Sequence, residues 1–210
     1  MVKVHLVNHT DINIAIEAMN NCYGNKCTTK SLINAVNAGH LSLLEHASAT
    51  FQITCSEAVL KQITRHRHLS FTVESSRGSD ISKNGFYLHD DVNKIAINGL
   101  PTDNDTLKVK ELYDAIVVLY TELIKFGISK EEAAYVLPMA TNVKMTVTGN
   151  LRAWYEYLMK RLCKRASLEH RVLATKIYDE LKKVYPDIFN IDLVFDKMCS
   201  NCNEKSCSFC

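Results

Sequence analysis

Apolar and polar residues alternate at the start of the chain, with Val2, Val4 and Leu6 set against Lys3 and His5, and this pattern predicts a short strand. Asp11 stands where a helix cap belongs, ahead of Ile12, Ala15, Ile16 and Met19 on one helical side, and Gly24 ends that unit. A second short helix fits residues 29–38, with Leu32, Ile33 and Val36 inward and Gly39 as its stop. Further on, Ala49, Phe51, Ile53 and Cys55 alternate with Thr50, Gln52 and Thr54, the period-2 signature of a strand with one buried face. Ser56 then reads as the N-cap of a helix through Val59, Leu60 and Ile63, which delivers Arg65, His66, Arg67 and His68 at its C-terminal end. Cations there also suit the helix dipole.

Periodicity fades over residues 70–91, where hydroxyl and glycine content rises, and the segment reads as a long functional loop or irregular extended stretch. Residues 107–126 form a strong amphipathic pattern with Leu112, Ile116, Leu119, Tyr120 and Leu123 on one face, after a linker at 99–105. A short helix runs from Ser129 to Pro138, and residues 139–150 alternate enough to be a strand. Helices over 151–163 and 167–184 follow, with Tyr155, Leu158 and Cys163 as core positions of the first. Periodicity alone therefore gives mixed helices and strands around one core.

Size and charge narrow the class. A chain of 210 residues buries very roughly 70% of the surface it exposes when unfolded, enough for a core without staples. A formal charge of +2 is too near neutral for a protein that coats nucleic acid, so any basic site is local. No apolar run approaches the ~20 residues that span a bilayer, and the opening MVKVHLVNHTD lacks the order of a signal peptide, so the expected location is the cytoplasm. Cys22, Cys27, Cys55 and Cys163 are scattered while four more crowd residues 199–210, which argues against a disulfide framework.

The densest chemistry lies in RHRHLSFTVESSR, where four basic side chains precede Ser70, Thr72, Glu74, Ser75, Ser76 and Arg77. Arginine offers paired donors to phosphate and hydroxyls add short-range ones, so an anionic small molecule is the natural guest. A polynucleotide track would want aromatic platforms among the charges, and only Phe71 is available. The alternative is a solvated basic helix end.

The order of these segments resembles the flavin-dependent thymidylate synthase family of the ThyX type. Arg65, His66 and Arg67 followed after seven residues by Ser75 match its signature, with Arg77 two residues later. Upstream, Gly39, His40, Ser42, Glu45, His46 and Phe51 match a second block; downstream, Leu137, Pro138, Asn150, Arg152 and Arg161 match a third. Three blocks in collinear order make chance agreement improbable.

The resemblance implies an α/β (α+β) fold, a mostly antiparallel sheet flanked by helices, over a single domain at 1–196 with a Cys-rich tail at 197–210, assembled as a homotetramer. It implies FAD as cofactor, NADPH as reductant, methylenetetrahydrofolate as one-carbon donor and dUMP as substrate. Arg161 is the implied catalytic residue, facing the pyrimidine and favouring ionisation at N3. Gln62, Arg65, Glu74, Ser75, Ser76, Arg77 and Arg161 would hold the nucleotide, and Ser42, Arg65, His66, Arg67, Asn150 and Arg152 the flavin. No metal, nucleic-acid polymer or membrane enters the reading.

Several positions depart from the family pattern. Thr72 and Val73 stand where Asn-Glu or Ser-Gln is usual, Gly78 replaces a Tyr, and Ala134 replaces an Arg that contacts the nucleotide phosphate. Glu156 and Arg165 replace an Asn and a His near the flavin. A lost phosphate Arg removes a contact of about 1.5–3 kcal/mol, for which Lys144 or Lys160 are substitutes. These changes spare the flavin block and alter the nucleotide block, which leaves hydroxymethylation of dUMP or dCMP, or a silent nucleotide-binding homologue, as alternatives.

Other readings are blander. Ser75 lacks the His and Asp of a nucleophilic triad. His40 and His46 read as hydrogen-bonding residues at a strand entrance rather than metal ligands. Cys199, Cys202, Cys207 and Cys210 form two Cys-x-x-Cys pairs that suit either a zinc ion or free, redox-active thiols.

Overall fold

The computed structural model describes residues 2–92, 94, 100, 101, 106, 107 and 109–189; the Cys-rich tail and most of the 99–105 linker lie outside them. In chain order the strands are β1 (Lys3–His9), β2 (Ser48–Ser56), β3 (Leu69–Val73), the short β4 (Leu100–Pro101) and β5 (Thr106–Leu107), and β6 (Asn142–Asn150). The helices are α1 (Asn13–Tyr23), α2 (Thr29–Asn37), α3 (Glu57–Ile63), α4 (Val109–Lys125), α5 (Lys130–Ala133), α6 (Leu151–Arg161) and α7 (Leu168–Val184). The chain divides into two compact units: a sheet unit of Lys3–Ile53, Gln62–Thr72 and the chain from Thr146 on, and a second unit of Val2, Thr54–Lys61 and Val73–Met145.

The expected α+β class is the one adopted, with an antiparallel sheet in the order β1-β2-β6-β3. Alternation in β2 buries Ala49, Phe51 and Ile53 on one face, as the period-2 pattern requires. Its register against β6 is marked by the Thr50 and Thr148 hydroxyls, 2.9 Å apart. Trp154 is fully buried in this unit; its indole N–H donates to the Ala49 carbonyl at 3.0 Å and its ring meets Phe51 edge-on at 5.0 Å. Leu151 and Leu158 of α6 and Leu173, Ala174, Ile177 and Leu181 of α7 complete the core, one helical stripe each. Gly149 of β6 has no room for a side chain, because a Cβ there would collide with Leu69 Cδ2. After α7, the Tyr185 hydroxyl donates to the Thr10 carbonyl at 2.5 Å, and α7 packs on β1.

Helix ends follow local chemistry, with two adjustments. Ile12, not Asp11, occupies the cap position of α1, while the Asp11 carboxylate accepts from the Asn13 N–H at 2.9 Å; one residue of shift leaves the acceptor within reach of the first free amides. Gly24 closes that helix at φ 65°, where a side chain would be strained. Ser56 caps as expected, accepting from Val59 N–H at 3.3 Å, and Ser129 does the same for α5, accepting from Glu132 N–H at 3.2 Å. Helix α6 stops at Arg161, so Cys163 sits half-buried in the turn beyond it rather than in the helix.

The chain from β3 to α4 departs further from expectation. Strand β3 runs to Val73, so the stretch read as irregular from Ser70 begins as a strand; its alternating hydroxyls are the polar face of a sheet edge. Glu74 N–H then bonds Lys144 O at 2.8 Å. Of the apolar face expected on α4, only Tyr120 is buried, while Leu112 and Leu119 are 46% and 48% exposed. Amphipathic spacing reports a face that wants cover, not which surface covers it.

Candidate active site

The Arg-His-Arg-His tetrad sits on the tight link from α3 to β3. His66 N–H donates to Ile63 O and Leu69 N–H to His66 O, each at 3.0 Å, so the four side chains fan out from a single turn just past the helix end. His66 is half-buried and packs edge-on against Tyr157 at 4.9 Å, while Arg65, Arg67 and His68 are exposed. Together with Lys160 and Arg161 of α6, the four line a cavity of about 330 Å³ in the sheet unit.

Arg161, the last residue of α6, is held in two places. Its Nε–H donates to His66 Nε2 at 2.9 Å and its Nη2 donates to the Gln62 carbonyl at 3.2 Å. Gln62 is anchored in turn, its Oε1 lying 3.2 Å from His170 Nδ1 on α7. With the amide oxygen as acceptor, His170 carries its proton on Nδ1, and its buried Nε2 has no hydrogen-bond partner among the described residues. Burial first, then the Arg161 charge, then Lys160, lower His66 from 6.5 to about 4. Burial, Arg161 and His66 lower His170 to about 3. Both rings are neutral at physiological pH. Among the described residues the guanidinium spends two of its five N–H groups on these anchors, which leaves three for a guest.

A second cavity of the sheet unit, about 280 Å³, shares His68, Ala153 and Glu156 with the first and adds Glu45, Asn150 and Arg152. Asn150 caps α6, its Oδ1 accepting from Ala153 N–H at 2.8 Å, which leaves the side-chain amide NH2 as its donor for a ligand. Arg152 donates to Glu45 at 2.6 Å and to Glu156 at 3.0 Å. Ser42 is exposed on the same 3-10 turn as Glu45, Leu41–His46, and is absent from the walls of these two cavities. The joined walls thus gather the guanidiniums of Arg65, Arg67, Arg152 and Arg161 with imidazole and amide donors, a donor set that fits a diphosphate-bearing cofactor such as FAD. Glu156 is the dissonant member, a carboxylate on the wall that both cavities share.

The remaining expected residues belong to the second unit. Its cavity of about 560 Å³ is lined by Glu74 and Ser76 together with Glu57, Lys61, Glu131 and Ala134. Glu74 accepts from the Asn84 amide at 2.7 Å. Ser75 is exposed and turns its Oγ back to the Arg77 N–H at 3.3 Å. Arg77 is largely exposed and paired with Glu131 at 2.7 Å. Burial raises the pKa of Glu57, partly offset by the Lys61 charge.

Ala134 does lie on this wall, but the cation beside it is Lys61 rather than either lysine expected to substitute. Lys144 is exposed, its carbonyl accepting from Glu74 N–H, and is absent from this wall, while Lys160 lines the cavity of the sheet unit. Lys61 aims its ammonium at the Met139 thioether, 3.0 Å away, an acceptor too weak to satisfy a cation. Its spacing of four from Glu57 on α3 was the available signal. His170 was missed because it stands in a polar run, although its spacing to Leu173, Ala174 and Ile177 puts it on the inner stripe of α7.

Residues 5–187 match the family described as Thymidylate synthase complementing protein, Thy1. A flavin-dependent thymidylate synthase of Pyrococcus furiosus is 33% identical over 205 residues, covering 87% of this chain and 80% of that protein. Among solved structures, a UMP/dUMP methylase from Streptomyces cacaoi bound with 5-Br UMP superposes with a TM-score of 0.74 at 23% identity, over 93% of this chain and 95% of the other. Thymidylate synthase X from Helicobacter pylori, with FAD and dUMP, gives 0.69 at 22% identity, over 92% and 99%. At those identities the two structures establish the shared fold. The match across nearly the whole described chain, and the one residue in three shared with the Pyrococcus enzyme, establish more: this chain belongs to the Thymidylate synthase complementing protein family.

Proposed function

We propose that this chain is a flavin-dependent thymidylate synthase, moving a one-carbon unit from methylenetetrahydrofolate to C5 of dUMP to give dTMP. The observation that carries the reading is Arg161: a guanidinium fixed by His66 and Gln62, with three N–H groups unspent, on the wall of a cavity lined by further cations. C5 of uracil is a poor nucleophile until the ring gathers negative charge. A fixed cation beside N3 and its neighbouring carbonyl stabilises that charge without reorganising. A bound FAD would supply reducing equivalents drawn from NADPH. Arg65, Arg67, Arg152, Asn150 and His66 would hold that cofactor, with Ser42 an outlying candidate on the adjoining turn. Gln62, Glu74, Ser75, Ser76 and Arg77 would hold the nucleotide. We include assembly as a homotetramer, which the exposed apolar positions Leu112 and Leu119 of α4 support.

Ala134 on the wall of the second unit's cavity favours one alternative, a hydroxymethyl transfer to dUMP or dCMP in which water completes the reaction. The test is a product mass spectrum after anaerobic incubation of the reduced, FAD-loaded protein with methylenetetrahydrofolate and both nucleotides. Methylated dUMP is the expected product. A hydroxymethylated base would shift the reading to the alternative, and no product from either nucleotide would end both.

A further inference from the structure

We infer that His66 is the positioning residue for Arg161, acting as a neutral imidazole whose Nε2 accepts the guanidinium Nε–H while its own proton resides on Nδ1. The inference rests on the reading of Arg161 as the group that faces the pyrimidine, and it gives His66 a duty separate from any contact with a flavin.

The geometry leaves the ring little choice. Nε2 lies 2.9 Å from Arg161 Nε, and a guanidinium has no lone pair to offer, so the imidazole nitrogen must be the acceptor. A neutral imidazole that accepts at Nε2 is protonated at Nδ1. The ring cannot tilt freely, because Tyr157 meets it edge-on at 4.9 Å and Tyr157 is itself fixed against Trp154, 5.7 Å away. Burial and the charges of Arg161 and Lys160 keep a proton off Nε2 at neutral pH, which preserves the acceptor.

The second anchor is built the same way. Nη2 reaches the Gln62 carbonyl at 3.2 Å, and the Gln62 side chain is tied to His170, which is fully buried on α7. Arg161 is therefore held from α3, from the turn after it, and indirectly from α7. A long side chain at a helix end otherwise samples many rotamers, and two fixed partners, one of them braced by His170, remove most of that freedom before any substrate arrives. One consequence bears on the cofactor. Since Nε2 is committed, the only hydrogen bond His66 can offer a flavin is donated from Nδ1–H.

The test begins with histidine ¹⁵N-labelled protein at pH 7, loaded with FAD, with His66 assigned by comparison with His66→Gln. Long-range ¹H–¹⁵N correlations should show the Nδ1–H tautomer, and Arg161→Ala should move the Nε2 resonance. An Nε2–H tautomer, a cationic ring, or no response to Arg161→Ala would overturn the inference. Turnover adds a second readout at matched flavin content. Glutamine carries an acceptor oxygen near the Nε2 position, so His66→Gln should retain kcat within about tenfold of wild type, whereas His66→Phe should lose about a hundredfold or more in kcat with a much smaller change in KM. Equal losses in the two variants would overturn positioning in favour of a purely packing role. If the wild-type protein makes no nucleotide product, the reading of Arg161 falls, and the tautomer measurement still decides whether His66 holds it.

Discussion

Arg161 and His66 stand 95 residues apart in the chain and share a hydrogen bond of 2.9 Å in which the arginine donates and the histidine accepts. Two side chains that both read as basic in the sequence are thus complementary in the fold, because desolvation keeps one of them uncharged. The arrangement holds a permanent cation on the cavity wall without adding the charge of its histidine partner to those of Arg65, Arg67 and Lys160.

Arg161→Ala should leave flavin bound and lower kcat by about a hundredfold to a thousandfold, the usual loss of one fixed electrostatic donor. Flavin content by absorbance and single-turnover product formation check the two halves separately; wild-type turnover would remove Arg161 from the mechanism.

Arg67→Ala should weaken flavin retention, since an exposed guanidinium on a cavity wall contributes about 1.5–3 kcal/mol to a phosphate when it is bonded. Flavin occupancy after gel filtration is the measure, and unchanged occupancy would redraw the cofactor site.

Lys61→Met should weaken dUMP binding by about tenfold while leaving deoxyuridine, which lacks the phosphate, unaffected. Glu131→Gln should act in the opposite direction by releasing Arg77 from its 2.7 Å pair. Isothermal titration with both ligands tests the pair, and an equal effect of Lys61→Met on nucleotide and nucleoside would show that Lys61 does not meet the phosphate.

Acid should destabilise the fold through the half-buried His66 and the buried His170. In the unfolded chain they titrate near their ordinary 6.5, while the folded chain holds them at about 4 and about 3. Between roughly pH 6.5 and 4 the unfolded chain binds more protons, so stability is full above that window and falls as pH drops through it. Urea midpoints at pH 7, 5.5 and 4.5 should decline, and His170→Leu should flatten the decline; an identical slope in the variant would show that His170 is not a source of it.

Gly149→Ala should lower the melting temperature, by an overpacking cost of about 1–3 kcal/mol, because the added methyl meets Leu69 within the sheet. Leu69→Ala in the same chain should recover part of the loss, a coupling that thermal unfolding of the double variant measures.

How much of this was legible depends on the range of the interaction. The β2 alternation, the Ser56 cap and the core positions Tyr155 and Leu158 of α6 are local patterns, and they were readable as such. Arg65, His66, Arg67, Asn150, Arg152 and Arg161 were readable as a group because resemblance supplied their order, and the sheet unit brings them to two cavities with a common wall. The roles of His170, Lys61 and Glu131 were not readable. A histidine between Glu169 and Arg171 looks solvent-facing until α7 is turned so that Leu173 and Ile177 point inward. The pairing of Arg77 with Glu131 spans 54 residues and leaves no trace in local spacing. On α4 the stripe was legible and its exposure was not, since covering a face is a property of what meets it.

The bond from the Tyr185 hydroxyl to the Thr10 carbonyl closes a loop of 175 residues, and it sets a timetable for synthesis. At about 5–20 residues per second, a ribosome that has just extruded β1 needs very roughly 10 to 35 seconds to deliver the helix that packs on it. Until then the side of the first strand on which this helix packs stays open, although its pairing partner β2 is made much earlier. Lys3, His5, Asn8 and His9 are exposed polar positions of that strand, and they lower its tendency to pair with another chain while it waits.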